Sequence, residues 1–190
     1  RAGVVGADGV THQGLYDIPL LRAIPNIAIA QPRDYDDLES LLGEAFSRNG
    51  PMAIRYPRGK AKSAAGEKRE TAAAQPARGA TFAIWSTGDW LWKAEAAAEA
   101  LGGMAVHARY IKPFDAALLE SHRRNGLRIV SLENGAVSGG LGEAIQADLR
   151  LGWPDEFIPH GKPEELEQKF GLDVAGITAR IEAFLKDSRS

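Results

Sequence analysis

Short apolar runs alternate with an amphipathic segment over the first 59 residues of the chain. Residues 27–30 and 52–56 are strand-like runs stopped by prolines, and the segment between them predicts a helix with Asp34 as its N-cap. Strand, helix and strand within about 30 residues favour a βαβ unit with parallel strands. Residues 2–6 look like the end of a buried strand that runs into a glycine-rich turn. The apolar residues of the predicted helix recur at helical spacing, namely Leu38, Leu41, Leu42, Ala45 and Phe46.

The same alternation resumes at residue 80. The predicted strands are 80–86, 104–109 and 127–132, and the predicted helices are 89–101, 115–124 and one that begins near Gly139. An irregular stretch follows, and then two more helices are predicted over 163–170 and 173–186, with Asp173 as the cap of the second. Because strands and helices alternate, we expect an α/β fold with mostly parallel sheets covered by helices.

Residues 60–79 lose this pattern and consist of small and charged residues without an apolar period. This composition predicts a solvent-exposed linker, with a surface helix over 67–74 as the alternative. We therefore divide the chain into a first unit at 1–59, a linker at 60–79 and a second unit at 80–190.

The composition is that of a soluble globular protein, with 44% hydrophobic and 25% charged residues. A net charge of −2 provides no basic field for nucleic acid or an anionic membrane, and we expect neither partner. The absence of cysteine excludes disulfides, thiolate metal sites and a cysteine nucleophile, and is compatible with a cytoplasmic location. No apolar run approaches the roughly 18 residues of a spanning helix. Since the chain begins at Arg1 within motif-like sequence, we interpret it as a fragment.

The segment from Gly6 to Gly14 places three glycines, Asp8 and His12 directly after a predicted strand. Glycine lets the backbone approach a ligand closely, and the acid and the histidine can perform acid–base chemistry or hydrogen bonding. The carboxyl ends of parallel strands are where open α/β sheets bind ligands. The alternative is a plain glycine-rich turn in which Asp8 is a cap and His12 is structural.

Two arginines, Arg55 and Arg58, occur where the strand at 52–56 ends. A guanidinium group can hold phosphate or carboxylate through paired hydrogen bonds. Side chains alternate along a strand, so Arg58, beyond Pro57, is the freer candidate. The alternative is a pair of surface arginines.

Three further groups of residues carry weaker signals. The segment from Glu133 to Gly142 matches neither common glycine-rich nucleotide pattern, which favours a tight strand-to-helix turn over a phosphate loop. Three tryptophans without interleaved basic residues favour core or interface packing over nucleic-acid stacking, namely Trp85, Trp90 and Trp92. Three histidines lack an acid or second histidine at metal-ligand spacing, so no metal site is assigned to them, namely His107, His122 and His160.

Several segments together resemble the 1-deoxy-D-xylulose-5-phosphate synthases, a transketolase-like family that uses thiamine diphosphate. In chain order they are RAGVVGADGVTHQG at 1–14, RYPRG at 55–59, IKPFD at 111–115, LENGAVSGG at 132–140 and PDEFIPH at 154–160. The THQG element is shared with transketolases and with β subunits of 2-oxoacid dehydrogenases. The RYPRG element, together with the first residues, is typical of the synthases.

This resemblance implies that residues 1–59 are the second half of a thiamine-pyrimidine-binding domain and residues 80–190 a transketolase C-terminal domain, commonly a dimerisation module. It implies a cytoplasmic homodimer that joins pyruvate to glyceraldehyde 3-phosphate with loss of CO₂. The product would be 1-deoxy-D-xylulose 5-phosphate, a precursor of isoprenoids, thiamine and pyridoxal.

The resemblance also implies roles for individual residues. The family's equivalents of Asp8 and His12 lie over the reactive thiazolium and contact donor or acceptor. The equivalents of Arg1 and Arg58 hold the phosphate of glyceraldehyde 3-phosphate. Thiamine diphosphate and Mg²⁺ would be held mainly by residues upstream of Arg1, and so would the glutamate that activates the cofactor. We therefore expect the isolated chain to be inactive.

One departure from the family and two alternatives remain. Residues 151–153 are predicted to be too short for an apolar strand that the family carries after the helix at 139–151. Within enzymes, the alternative is a transketolase or a 2-oxoacid dehydrogenase β-type subunit. Outside enzymes, the alternative is a non-catalytic oligomerisation module.

Overall fold

The computed structural model describes residues 1–59 and 79–187, which form seven strands and seven α-helices within those ranges. The strands are β1 (Ala28–Ala30), β2 (Met52–Ile54), β3 (Phe82–Ser86), β4 (Met104–His107), β5 (Tyr110–Lys112), β6 (Arg128–Ala136) and β7 (Leu149–Trp153). The helices are α1 (Asp17–Arg22), α2 (Tyr35–Ser47), α3 (Leu91–Leu101), α4 (Ala116–Arg124), α5 (Leu141–Ala144), α6 (Pro163–Lys169) and α7 (Val174–Asp187). The predicted linker at 60–79 and the alternative helix at 67–74 lie outside the described residues, except for Gly79.

The larger sheet has four parallel strands in the order β4-β3-β6-β7. Alternate residues of β3 enter two different hydrophobic clusters, because successive side chains of a strand point to opposite faces. Phe82 and Ile84 pack in the cluster that contains Ile177 and Ile181 of α7. Ala83 and Trp85 pack in the second cluster, on the opposite face of the strand. The expected α/β fold with mostly parallel sheets and two covered faces is confirmed.

The smaller sheet has the order β2-β1-β5. Strands β1 and β2 are parallel, with Ala28 opposite Met52, and α2 connects them. The Asp34 carboxylate accepts a hydrogen bond from the Asp37 amide at 2.9 Å, so the predicted cap and the predicted βαβ unit are both present. Strand β5 pairs antiparallel with β1 and was not expected as a separate strand. A strand from the second half of the chain thus completes the sheet of the first half, and the division into two domains stays a prediction.

The prediction that a strand is missing near residues 151–153 is wrong. Strand β7 pairs in parallel with β6 through four residue pairs, which include Val130–Leu149, Leu132–Leu151 and Ala136–Trp153. The strand has room because α5 ends at Ala144, and Gln146 follows with a φ of 51°, which breaks the helix. Gly152 lies so close to β6 that a Cβ there would be 2.8 Å from the Gly135 carbonyl oxygen. Because glycine has no apolar side chain, the apolar run at this position is short, and the sequence pattern does not indicate a strand.

The structure confirms some of the remaining expectations, which concern the two ends of the chain and the tryptophans, and differs from others. The strand expected at residues 2–6 is only a pair of isolated bridges, Ala2 with Pro57 and Gly3 with Gly14. Trp85 and Trp90 are buried as expected, but Trp92 is 45% exposed and lies outside the core. The closing helices are confirmed as α6 and α7.

None of the helices in the described ranges combines the length and the apolar character needed to cross a membrane.

Candidate functional site

The predicted site loop consists of two short 3₁₀ turns, Gly6–Asp8 and Val10–His12. Gly9 separates them with a φ of 72°, in the left-handed region that favours glycine. The loop is closed at its base by reciprocal hydrogen bonds of 2.9 Å between the backbones of Gly3 and Gly14. Gly14 has no room for a side chain, because a Cβ would lie 1.6 Å from the Arg1 carbonyl oxygen. The glycines therefore let two segments cross closely while the loop presents Asp8 and His12 on the surface.

Three of the four predicted site residues meet at one atom. Oδ2 of Asp8 is 3.2 Å from Nη1 of Arg1 and also accepts a hydrogen bond from Nη1 of Arg58. The Ala2 amide donates to the Tyr56 carbonyl at 2.9 Å, which holds the start of the chain beside the end of β2. The side chains remain 49%, 32% and 53% exposed for Arg1, Asp8 and Arg58, so a ligand can reach them. The geometry brings these residues together as expected, while their roles remain predictions.

His12 lies on the second turn of the same loop and is exposed. Its Nδ1 is 2.9 Å from the Thr11 hydroxyl, which fixes the orientation of the ring. Nε2 is on the far side of the imidazole, and the proton-transfer role expected of His12 would use that nitrogen.

Arg55 has a structural position, as the alternation along β2 indicated. Its side chain is buried and binds the Asp17 carboxylate with two hydrogen bonds of 2.6 and 2.9 Å. The same guanidinium donates to Gln31 Oε1, to the Gly14 carbonyl at 3.1 Å and to the Asn134 carbonyl at 3.0 Å. Arg55 thus joins the base of the site loop to β6, and Arg58 is the arginine left at the surface.

The segment from Glu133 to Gly142 is a strand-to-helix turn, as expected. The Glu133 carboxylate accepts hydrogen bonds from the amides of Leu141 at 2.7 Å and Gly142 at 3.0 Å. A phosphate bound at this turn would need the same two amides, and the Glu133 carboxyl group already occupies them. Burial raises the pKa of Glu133 to about 7, although both amides favour its charged form.

Sequence reasoning missed Gln13, the residue that follows the loop. Its Oε1 accepts a hydrogen bond from the Val5 amide at 3.0 Å, and its Nε2 donates to the carbonyls of Ile158 at 3.0 Å and Pro159 at 3.1 Å. Tyr16 reinforces this contact, because its hydroxyl donates to the Glu156 carbonyl at 2.7 Å. Residues 156–161 therefore lie beside the site loop, which nothing in the sequence pattern indicated.

His107 has no acid at metal-ligand spacing in the sequence, but the fold brings a carboxylate beside it. Its Nδ1 is 3.8 Å from the Asp37 carboxylate, which also binds Nε of Arg109 at 2.5 Å. Nε2 of His107 is 3.1 Å from the Gln31 carbonyl oxygen, and burial lowers the pKa of His107 to about 4. These contacts link α2 to the segment that contains β4 and β5, and they are structural rather than metal-binding.

Comparisons with known proteins agree with the geometry. The model of the transketolase pyrimidine-binding domain matches residues 1–63, and that of the transketolase C-terminal domain matches residues 72–177. The chain belongs to the transketolase family. Its curated relatives include 1-deoxy-D-xylulose-5-phosphate synthases from Polaromonas sp. strain JS666 and from Pseudoalteromonas translucida. They are 44% and 41% identical over 96% and 97% of this chain.

The chain spans 31% and 32% of the length of these two relatives. Solved structures with the same fold include a split-gene transketolase, described as an inactive β4 tetramer, with a TM-score of 0.76 and 23% identity. It is matched over 92% of this chain and 62% of its own length. A transketolase mutant from Pichia stipitis has a TM-score of 0.78 and 22% identity over 96% of this chain and 29% of its own.

The described residues contain no cluster of metal ligands for the Mg²⁺ expected with thiamine diphosphate. Within 1–59 and 79–187, no group of three or more histidine, cysteine, aspartate or glutamate residues could hold a metal ion. Mg²⁺ is usually held by carboxylates together with phosphate oxygens and water. The arginines at the site loop are suited instead to the phosphate of a substrate.

Proposed function

We propose that this chain is the part of a 1-deoxy-D-xylulose-5-phosphate synthase that binds the acceptor substrate and handles its protons. The synthase would join pyruvate to glyceraldehyde 3-phosphate, release CO₂ and form 1-deoxy-D-xylulose 5-phosphate. Curated relatives of that name, at 44% identity over 96% of this chain, support the proposal. The observation that carries it is the convergence of Arg1 and Arg58 on Asp8, at the mouth of the loop that bears His12.

The two arginines fit the phosphate of glyceraldehyde 3-phosphate. Both guanidinium groups are exposed by about half and lie beside one carboxylate oxygen, so their charges are held close together. A phosphate dianion offers three acceptor oxygens to the same pair of donors and binds arginine through charge-assisted hydrogen bonds. Arg1 and Arg58 would then hold the acceptor at the end that does not react.

Asp8 and His12 would act at the reacting end of the acceptor. Asp8 holds both arginines in place and, in the proposed complex, orients a hydroxyl of the acceptor. His12 would donate the proton that the acceptor's carbonyl oxygen gains when the new carbon–carbon bond forms at the carbonyl carbon.

The proposed cofactor is thiamine diphosphate with Mg²⁺, held outside the described residues. When bound, thiamine diphosphate supplies the carbanion chemistry, and the protein orients substrates and moves protons. We further propose a cytoplasmic homodimer whose product enters the synthesis of isoprenoids, thiamine and pyridoxal. These properties come from the family likeness and not from a contact in this chain.

The test is the reaction of the complete enzyme that contains this chain, with pyruvate and glyceraldehyde 3-phosphate as substrates. We expect one CO₂ and one 1-deoxy-D-xylulose 5-phosphate per pyruvate, identified by mass spectrometry. Parallel assays with a ketose phosphate as donor test the transketolase alternative. Turnover of the ketose phosphate without turnover of pyruvate would refute the synthase and favour a transketolase.

A further inference from the structure

Gln13 uses both N–H groups and the oxygen of its side-chain amide to connect two parts of the fold. Oε1 accepts from the Val5 amide at 3.0 Å, and Nε2 donates to the carbonyls of Ile158 and Pro159 at 3.0 and 3.1 Å. Val5 precedes the site loop and Gln13 follows it, so the first bond closes the loop at its base. The other two attach that base to a segment 145 residues away in sequence.

That segment, residues 156–161, is here called the rim. The Gly161 amide donates to the Gly6 carbonyl at 3.4 Å, and a Cβ on Gly9 would lie 3.4 Å from Cβ of His160. The rim therefore runs alongside both turns of the site loop. Gly9, between those turns, is buried although its neighbours Asp8 and Val10 are exposed.

The rim is itself fixed to the core. The Ile158 side chain is 1% exposed and packs in the hydrophobic cluster that contains Trp153 and Leu166. Because the Ile158 side chain is packed in the core, the position of its backbone carbonyl is fixed. The hydrogen bond to this carbonyl therefore restrains the position of the Gln13 side chain. Gln13 is the adjacent neighbour of His12, and its hydrogen bonds limit where the imidazole can lie.

We propose that Gln13 is a positioning residue that sets the location of His12 by fastening the site loop to the rim. The inference rests on the proposed function, in which His12 transfers a proton. A displacement of about 1 Å in a reacting group can cost on the order of 100-fold in rate. Loss of the Gln13 contacts should therefore reduce turnover more than it reduces substrate binding, because the backbones of Arg1 and Arg58 lie outside the loop and their side chains contact it through Asp8.

The central variant is Gln13→Glu in the complete enzyme. The carboxylate keeps the shape of the side chain and can still accept from Val5, but it places an acceptor opposite the two rim carbonyls. The matched control is Gln168→Glu, the same chemical change on an exposed position of α6. We expect kcat to fall about 10–100-fold in Gln13→Glu, with the KM for glyceraldehyde 3-phosphate within about threefold. The control should match the wild type.

A double-mutant cycle with His12→Ala separates positioning from general damage. If Gln13 acts through His12, Gln13→Glu should lower kcat by less than about threefold once His12 is absent, because residues that act as a unit are not additive. The full loss in both backgrounds would overturn the proposal, as would an unchanged kcat in Gln13→Glu. If Gln13→Glu does not fold, Gln13→Ala removes the same contacts without adding a charge and takes its place in the cycle.

Amide hydrogen exchange keeps this inference distinct from the proposed function. It is measured on the same complete proteins and does not depend on turnover. The His12 amide is hydrogen-bonded within the loop, and the Gly161 amide is hydrogen-bonded from the rim to the loop. Hydrogen exchange at both amides should accelerate at least about tenfold in Gln13→Glu and not in Gln168→Glu. An inactive wild type with this exchange pattern would refute the synthase but support the attachment. An active wild type with unchanged exchange would refute the attachment alone.

Discussion

Replacement of Arg58 by alanine should weaken acceptor binding without a comparable effect on the donor. Arg58 follows β2 and shares Asp8 with Arg1, so its guanidinium is available to a phosphate at the loop. Glyceraldehyde 3-phosphate carries that phosphate and pyruvate does not. In the complete enzyme we expect Arg58→Ala to raise the KM for glyceraldehyde 3-phosphate about 10–100-fold and to leave the KM for pyruvate within about twofold.

The magnitude follows from the exposure of the side chain. A hydrogen bond to a charged group contributes about 1.5–3 kcal/mol, and about 1.4 kcal/mol corresponds to a factor of ten. Arg58 is 53% exposed, so solvent screening places the contribution in the lower part of that range. Arg1 remains in the variant and retains one guanidinium for the ligand. The lower half of the expected range, about 10–30-fold, is therefore favoured.

The assay is steady-state kinetics with each substrate varied while the other is saturating. Arg124→Ala is the matched control, because Arg124 is an exposed arginine on α4 with a surface ion pair to Glu120. Arg58→Lys keeps the positive charge but loses the paired N–H donors of the guanidinium group. Its KM for glyceraldehyde 3-phosphate should lie between those of the wild type and Arg58→Ala. Equal increases in both Michaelis constants, or a KM for glyceraldehyde 3-phosphate within twofold of the control, would refute the assignment.

Three further outcomes are expected. His12→Ala should lower kcat about 10²–10⁴-fold with little change in KM, measured by the same kinetics, because proton transfer acts in the transition state. Glu133→Gln should make the free energy of unfolding, measured with denaturant, less dependent on pH. The pKa of Glu133 is about 7 in the folded state and 4.5 ordinarily, so the stability that protonated Glu133 contributes is lost as the pH rises from about 4.5 to 7. The isolated 190-residue chain should show neither turnover nor micromolar binding of thiamine diphosphate with Mg²⁺ by calorimetry, since the resemblance to the synthases implies that other parts of the enzyme hold both.

Much of the fold could be predicted because hydrophobic periodicity reports burial directly. The apolar run of β3 predicted a strand over 80–86, and the structure has it over Phe82–Ser86, where the apolar side chains face two buried clusters. Strand β7 was missed because a buried glycine at position 152 contributes no apolar side chain. Strand β5 was missed because it is only three residues long, and its pairing with β1 is a contact between distant parts of the chain.

The residues that we propose to face a ligand were identified from the sequence. Asp8 and His12 stood out because glycines, an acid and a histidine occur within a few positions after a predicted strand, which the structure reduces to two isolated bridges. Arg58 stood out because it follows a neighbouring strand of a parallel pair, and parallel strands end on the same side. The shared contact at Asp8 Oδ2 agrees with that reasoning. A rule of chain geometry was enough to bring together residues 50 positions apart.

The residues that hold the site could not be predicted in the same way, and the reason is chemical. Gln13 donates to the distant backbone carbonyls of Ile158 and Pro159. Arg55 donates to those of Gly14 and Asn134, in addition to its bonds with the side chains of Asp17 and Gln31. Every residue has a carbonyl, so the partner leaves no trace in the side-chain sequence. Hydrophobic periodicity and motif spacing identify residues whose own side-chain chemistry is distinctive. A side chain that binds the backbone of a distant segment can be identified only from the folded structure, in which the two are in contact. The same distinction explains why Gln13 is tested through its effect on His12, and Arg58 through its own substrate contact.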